Sequence, residues 1–181
     1  AVTGVLPIAL GNATKAMPAL SGVDKEYVGI MHLHKEVPRK AVEDTVKKFI
    51  GKIKQLPPVK SAVARKVRER EIYFFDILEM DGKDVLFKVG CEAGTYIRKL
   101  CHDFGKVLGT GAHMSELRRT RAGPFTEQQG HSLVEVRDAY EFWQSGDESK
   151  LKSILIPVEY AILHVKSVFV KDSAVDTICN G

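Results

Sequence analysis

The stretch CEAGTYIRKL, residues 91–100, sets Tyr96 and Arg98 two positions apart, just after a Gly-Thr pair. Tyrosine offers a flat ring and a hydroxyl, and arginine a permanent planar cation whose fork engages phosphate through two bonds. On spacing alone, packing of Tyr96 and solvation of Arg98 account for the pair. Two clusters of positive charge stand on either side of it. Lys60, Arg65, Lys66, Arg68 and Arg70 lie in one extended segment, and Arg118, Arg119 and Arg121 follow Leu117 in a basic loop. A charge run is commonly a solvated face; two runs flanking one junction are also what a phosphate-binding track requires. The pair His32 and His34 shares a strand face at a spacing that can hold a metal. No third ligand stands at matching distance in sequence, so packed or solvated histidines are expected and no metal. GTGAH (109–113) lacks the third glycine and the Lys-Ser/Thr of a nucleotide loop. No Ser-His-Asp arrangement emerges, and Glu43, Asp44 and Glu141 fall on helix surfaces.

The elements that must position these residues follow from periodicity. VLFKVGC (85–91) alternates Val85, Phe87, Val89 and Cys91 against Leu86, Lys88 and Gly90, the period of a half-buried strand. IYFFDILEM precedes it across Asp81-Gly82-Lys83-Asp84, a strong hairpin signal. Downstream, Ile97, Leu100, Cys101, Phe104 and Leu108 recur at helical spacing and Gly109 closes the run, with Thr95 as the expected N-cap. Gly94 and Thr95 thus mark a strand-to-helix junction, where scaffolds commonly carry function. EYVGIMHLHK (26–35) reads as a strand. Pro38 precedes an amphipathic helix with Val42, Val46, Phe49, Ile50 and Ile53 on one face. VLPIAL and ATKAMPAL read as short helices, QLPPVKSAV as a turn into an extended segment, GTGAHMSELRRTRAGPF (109–125) as a strand that leaves through a basic loop, LVEVRDAYEFW (133–143) as a helix, and SVFVKDSAV (167–175) as a strand and turn. Interleaved strands and helices around a central hairpin predict an α/β fold with a mixed, largely antiparallel sheet flanked by helices.

Bulk properties narrow the field. The chain has 181 residues, enough for one domain plus appendages, with 44% hydrophobic and 28% charged residues, a globular composition. No apolar run approaches the ~20 residues of a membrane span, and no basic-then-apolar signal segment is present. Three scattered cysteines, Cys91, Cys101 and Cys179, offer no bridge framework and point to a reducing compartment. A net charge of +4 permits a polyanionic partner without requiring one.

Five collinear stretches carry more. KEYVGIMHLH, QLPPVKSAV, CEAGTYIRKLC, GAHMSELRRTRAGPF and VKDSAVDTIC, in this order and spacing, resemble the TruB-type pseudouridine synthases. They are most similar to the guide-RNA-dependent branch, the catalytic subunit of archaeal H/ACA ribonucleoproteins and its eukaryotic counterpart. The resemblance implies the pseudouridine synthase fold over residues 1–164 and the beginning of a PUA RNA-binding domain over 165–181. TGVLPIALGNATK resembles the continuation of the family's Gly-Thr-Leu-Asp-Pro motif, which implies that the nucleophilic aspartate stands two residues before Ala1. Both ends of the chain then read as cuts through a longer protein.

The same resemblance assigns roles. Arg98 pairs with the nucleophile and holds it ionised, Tyr96 lies beside the target nucleotide, Tyr27 stacks on the flipped uracil, and Leu117 is an apolar wall. Arg118, Arg119 and Arg121 belong to a mobile thumb over 111–123 that clamps RNA. Lys60 stands where bacterial members acting alone on tRNA carry a tyrosine, which points to guided modification. The implied reaction is isomerisation of a uridine in rRNA or tRNA to pseudouridine, without cofactor or metal. The implied partners are guide RNA, substrate RNA and small accessory proteins. The implied location is the cytoplasm of an archaeon, or the nucleolus of a eukaryote. A non-catalytic RNA-binding scaffold is the competing reading; a small-molecule enzyme would instead need a closed polar pocket and no basic track.

Overall fold

The hairpin that the sequence signals most strongly lies at the centre of a seven-stranded sheet. The computed structural model describes residues 3–57, 66–166 and 168–180. Its strands are β1 (Thr3–Gly4), β2 (Lys25–Leu33), β3 (Gly51–Gln55), β4 (Arg68–Asp81), β5 (Asp84–Cys91), β6 (Ala112–Ala122) and β7 (Phe125–Thr126). Across the sheet they run β1-β6-β2-β5-β4-β3, with β7 paired to β6. The two-residue stretch β1 lies parallel to β6. The other pairings are antiparallel, so the mixed, largely antiparallel α/β sheet is as expected.

Six helices accompany the strands among the described residues: α1 (Met17–Ser21), α2 (Arg39–Val46), α3 (Ile97–Leu108), α4 (Leu133–Gln144), α5 (Ser149–Ile154) and α6 (Val175–Asn180). The alternation in β5 turns Val85, Phe87, Val89 and Cys91 to one face, and the apolar sides of α2 and α3 cover it. Phe87 and Phe104 are fully buried there. The Phe104 ring packs against Phe49 at 5.5 Å and Phe75 at 5.7 Å. Burying each such ring contributes about 1.5–3 kcal/mol. At the other edge, Tyr160 ties the C-terminal segment to β7, accepting from Gln129 at 2.7 Å and packing its ring 5.4 Å from Phe125. Among the described residues no helix is long and apolar enough to cross a membrane.

Four expectations need correction. The amphipathic helix after Pro38 ends at Val46, and the chain turns at Gly51 into β3. Val42, Val46 and Phe49 do face the core. Ile53 faces inward as a strand residue, because pairing of Gly51–Gln55 with Ile72–Arg68 satisfies the backbone of β3. VLPIAL is not helical: Val5 N–H donates to the Arg119 carbonyl at 2.8 Å, prolonging β1, and Pro7 has no N–H to give. The 167–175 stretch forms no strand among its described residues; Phe169 is 97% exposed, and Asp172–Ala174 is a single 3-10 turn leading into α6. Finally, the strand expected in 109–125 does not give way to a basic loop after Leu117. It continues to Ala122 as β6, paired along its length with β2 and at its far end with β1 and β7.

Candidate functional site

Strand register assembles the site. Cys91 at the end of β5 lies opposite Lys25 at the start of β2. Tyr27 lies opposite Val89 on one side and Arg119 on the other. Residues directly opposite in an antiparallel pair share a face, so Lys25, Tyr27, Cys91 and Arg119 stand together on the helix-covered face, at the end where the chain passes from β5 to α3. Burial dominates their electrostatics. It holds the Tyr27 hydroxyl above its ordinary range, against the pull of the nearby Arg119 guanidinium. The Lys25 ammonium is held low, first by burial and then by the like charge of Arg119. The Cys91 thiol is pushed up to about 11, mainly by burial.

The CEAGTYIRKL segment then builds the junction. Gly94 has φ +78°, a conformation that side chains with a Cβ rarely adopt. The turn closes when Thr95 N–H and Oγ1 both donate to the Glu92 carbonyl, at 3.3 and 2.7 Å. Thr95 therefore does not cap α3, as its composition suggests. Its hydroxyl is spent on the turn, and the N-cap position falls to Tyr96, whose side chain makes no capping bond. Beneath the turn, Arg70 reaches Glu92 at 3.5 Å, and Glu92 Oε2 accepts the Glu71 N–H at 3.1 Å. Arg98 is exposed on the first turn of α3 and makes no ion pair with a described residue. Tyr27, Tyr96 and Arg98, expected as site residues, are thus all delivered to one end of the sheet.

The remaining expected site residues do not form one surface. Arg119 faces the covered side, where Nε donates to the Val5 carbonyl at 2.8 Å. A Cβ on Gly4, at φ +110°, would come within 2.2 Å of the Arg119 carbonyl oxygen, so β1 lies flat against this residue. Arg118 and Arg121 belong to the opposite face, in register with Val28 and Glu26. Arg118 pairs with Glu127 at 2.6 Å and Arg121 donates to the Gly123 carbonyl at 3.1 Å. Burial works against the Glu26 carboxylate, but bonds from Thr120 (2.7 Å) and Lys88 (3.2 Å) outweigh it and hold its pKa low. The three arginines expected on a thumb are strand residues: alternation separates Arg118 from Arg119, and the register shift between Glu26 and Tyr27 returns Arg121 to the face of Arg118. Leu117, 6% exposed, lies within the core beside Gly29 and Phe87. Lys60 and Arg65 lie outside the described residues.

Two participants escaped sequence reading. Lys25 is one, legible only as the residue before a strand. Gln55 is the other: it is 2% exposed and bonds the backbone of Tyr96. Its signal was its inward phase with Gly51 and Ile53, concealed while 49–53 was read as helix. His32 and His34 flank the His113 ring at 5.2 and 5.3 Å, and His32 Nδ1 lies 2.7 Å from Asp84. Among the described residues no group of three ligands could hold a metal.

A helix-covered, largely antiparallel sheet with tyrosines and arginines gathered at one end defines an α/β domain with a polar site at the ends of its central strands. Comparison with known proteins makes this specific. Residues 1–40 and 34–97 match the N-terminal domain of TruB family pseudouridylate synthases, and 98–163 the C-terminal domain of tRNA pseudouridylate synthase B. The chain is 55% identical to a probable tRNA pseudouridine synthase B of Methanosarcina barkeri, over 99% of the chain and 54% of that protein. It is 56% identical to its Methanopyrus kandleri counterpart over the same shares. It superposes with TM-score 0.94 and 49% identity on a chain of a Cbf5-Nop10-Gar1 complex, covering 99% of this chain and 55% of that one. With TM-score 0.89 and 46% identity it also matches a chain of an H/ACA ribonucleoprotein bound to a substrate RNA containing 2'-deoxyuridine. The chain belongs to the TruB family of pseudouridine synthases. It spans about half the length of the relatives it matches.

Proposed function

We propose that the protein containing this chain isomerises uridine to pseudouridine in RNA, at a site chosen by a guide RNA. The observation that carries this reading is the superposition of nearly the whole chain on the Cbf5 complex, with Tyr27, Tyr96 and Arg98 gathered at one sheet end. In this reading an aspartate two residues ahead of Ala1 is the nucleophile. Arg98, exposed and free of described ion-pair partners, holds that carboxylate ionised and aims it. Tyr27 gives the flipped base a ring to rest on, with Tyr96 beside the nucleotide and Leu117 behind it. The N1–C1' bond breaks, the base turns, and a C5–C1' bond forms while the C5 proton leaves and N1 gains one. Atoms balance without an oxidant or reductant.

The structural neighbours support partners of the same kind: guide and substrate RNA, and small accessory proteins. Lys60, Arg118 and Arg121 are the remaining candidates for backbone contacts. On this reading rRNA is the first target class, with tRNA the second, since the curated relatives carry tRNA synthase names. Residues 165–181 would open a PUA domain.

Tritium release from 5-tritiated uridine in target RNA tests the reaction, using the full-length protein with H/ACA guide RNA and accessory proteins. Release at a guide-selected uridine is the expected result. Tight RNA binding without release would leave the scaffold reading in its place.

A further inference from the structure

Helix α3 begins without any of the residues that usually start one. The first-turn backbone groups of a helix need partners, and α4 meets that need locally. Ser132 N–H donates to Glu135 Oε2 at 2.6 Å and Glu135 N–H donates to Ser132 Oγ at 3.2 Å. The corresponding positions in α3 are Tyr96 and Lys99. Tyrosine cannot reach back as a cap, and lysine has no acceptor to offer. The missing acceptor comes from another strand. Gln55 Oε1 accepts the Tyr96 N–H at 3.0 Å, and Gln55 Nε2 donates to the Tyr96 carbonyl at 3.3 Å. The residue is almost wholly buried, and its amide spends both ends on a residue 41 positions away.

We propose that Gln55 is a positioning residue for the Tyr96–Arg98 pair, its side-chain amide capping α3 from β3 so that neither Tyr96 nor Arg98 spends its side chain on the helix end. This rests on the reading that Tyr96 and Arg98 face the reacting nucleotide. A serine or aspartate at position 96 would start the helix locally, but would remove the ring. The borrowed cap resolves that conflict. It holds Tyr96 extended at φ −93°, ψ 99°, the conformation from which the first turn projects Arg98. At the other end of the same segment, Glu92 N–H donates to the Glu71 carbonyl at 2.9 Å. Tyr96 is therefore tethered to β3 and Glu92 to β4, with only the Gly94 turn between. Glutamine suits the role because the backbone of Tyr96 presents one donor and one acceptor, and a neutral amide matches both.

The test uses the full-length protein in its RNA-bound assembly with two variants, Gln55→Met and Gln55→Glu. Methionine keeps the shape and loses both bonds. Its single-turnover rate on pre-bound RNA should fall about 10²-fold, the scale of an ångström of misplacement, with RNA affinity unchanged. Ionised glutamate can accept from Tyr96 but cannot donate, whereas protonated glutamate can do both. The rate of Gln55→Glu relative to wild type should therefore rise on acidification, which a merely structural role would not produce. Hydrogen exchange supplies a readout independent of turnover: Tyr96 N–H should lose protection in Gln55→Met while Leu100 and Phe104 keep theirs. Unchanged protection at Tyr96 would overturn the cap. Lost protection with a wild-type rate would overturn the positioning role. Wild-type protein that binds RNA but never isomerises it would overturn the function itself, and the exchange result would still decide whether the cap exists.

Discussion

The roles proposed for Arg98 and Tyr27 differ in kind, and substitution separates them. Arg98 has no described ion-pair partner and an exposed position on α3. If it orients the nucleophile, Arg98→Ala and Arg98→Lys should both lower the single-turnover rate by about 10²-fold or more, with RNA affinity little changed. Lysine supplies charge but not the planar fork, so its failure is part of the expectation. Wild-type rates for Arg98→Ala on pre-bound RNA would remove the assignment. Tyr27 is half-buried against the core and has Arg119 opposite it. Its ring, not its hydroxyl, is expected to matter. Tyr27→Ala should weaken capture of the flipped base by about 1–3 kcal/mol, and Tyr27→Phe by much less. Equal damage from both, read in binding to an uncleavable uridine analogue, would point to proton transfer instead.

At the scale of elements, β6 shows how position within a sheet decides what an arginine does. Arg118, Arg119 and Arg121 look alike in sequence, yet only Arg119 is committed to holding β1, through Nε to Val5 and its own backbone to the same residue. Hydrogen bonds to a charged donor contribute about 1.5–3 kcal/mol. Arg119→Ala should therefore lower the unfolding free energy read from urea melts by an amount in that range, and the proteolytic resistance of residues 3–10 with it. Arg118→Ala removes an exposed ion pair with Glu127 and should cost about 0–1 kcal/mol. Any RNA-binding loss from Arg118→Ala should appear as a shallower salt slope, by about one unit per phosphate contact. Equal stability losses for the two variants would show that β1 is not held by Arg119.

For the whole molecule, buried thiols set a limit on the alkaline side. Cys91 is pushed up to about 11 and Cys101 to about 12, both chiefly by burial. An unfolded thiol ionises near pH 8.5. The folded state thus keeps protons that the unfolded state releases, so this contribution is complete below about pH 8.5 and is lost as pH rises toward 11. Between pH 9 and 10 stability should fall by about 1.2 kcal/mol per thiol. Urea melts under reducing conditions measure this, and Cys91→Ala should remove about half of the slope. A wild-type slope in Cys91→Ala would mean that its thiol does not titrate differently on unfolding. Cys179, which is exposed, should alkylate in the native protein while Cys91 and Cys101 stay protected.

Much of this molecule was legible in residue order alone. The β4–β5 hairpin, α3 and α4 followed from periods of two and 3.6, because strands and helices with one buried face repeat their apolar residues at those intervals. The motif order was enough to indicate the family, and it is the source of the roles proposed for Tyr27, Tyr96 and Arg98. Other features depended on partners distant in sequence. Phe49 and Ile53 suit a helix or a strand equally, and only pairing with β4 decided that Gly51–Gln55 is extended. The basic stretch after Leu117 read as a loop because its charges hide the alternation; the flanking strand β2 made it β6. Thr95 looked like a cap until the turn at Gly94 took its hydroxyl. Gln55 had no local signature beyond its inward phase with Gly51 and Ile53, since its partner is the backbone of Tyr96, and a backbone hydrogen bond depends on where that residue sits rather than on which residue it is.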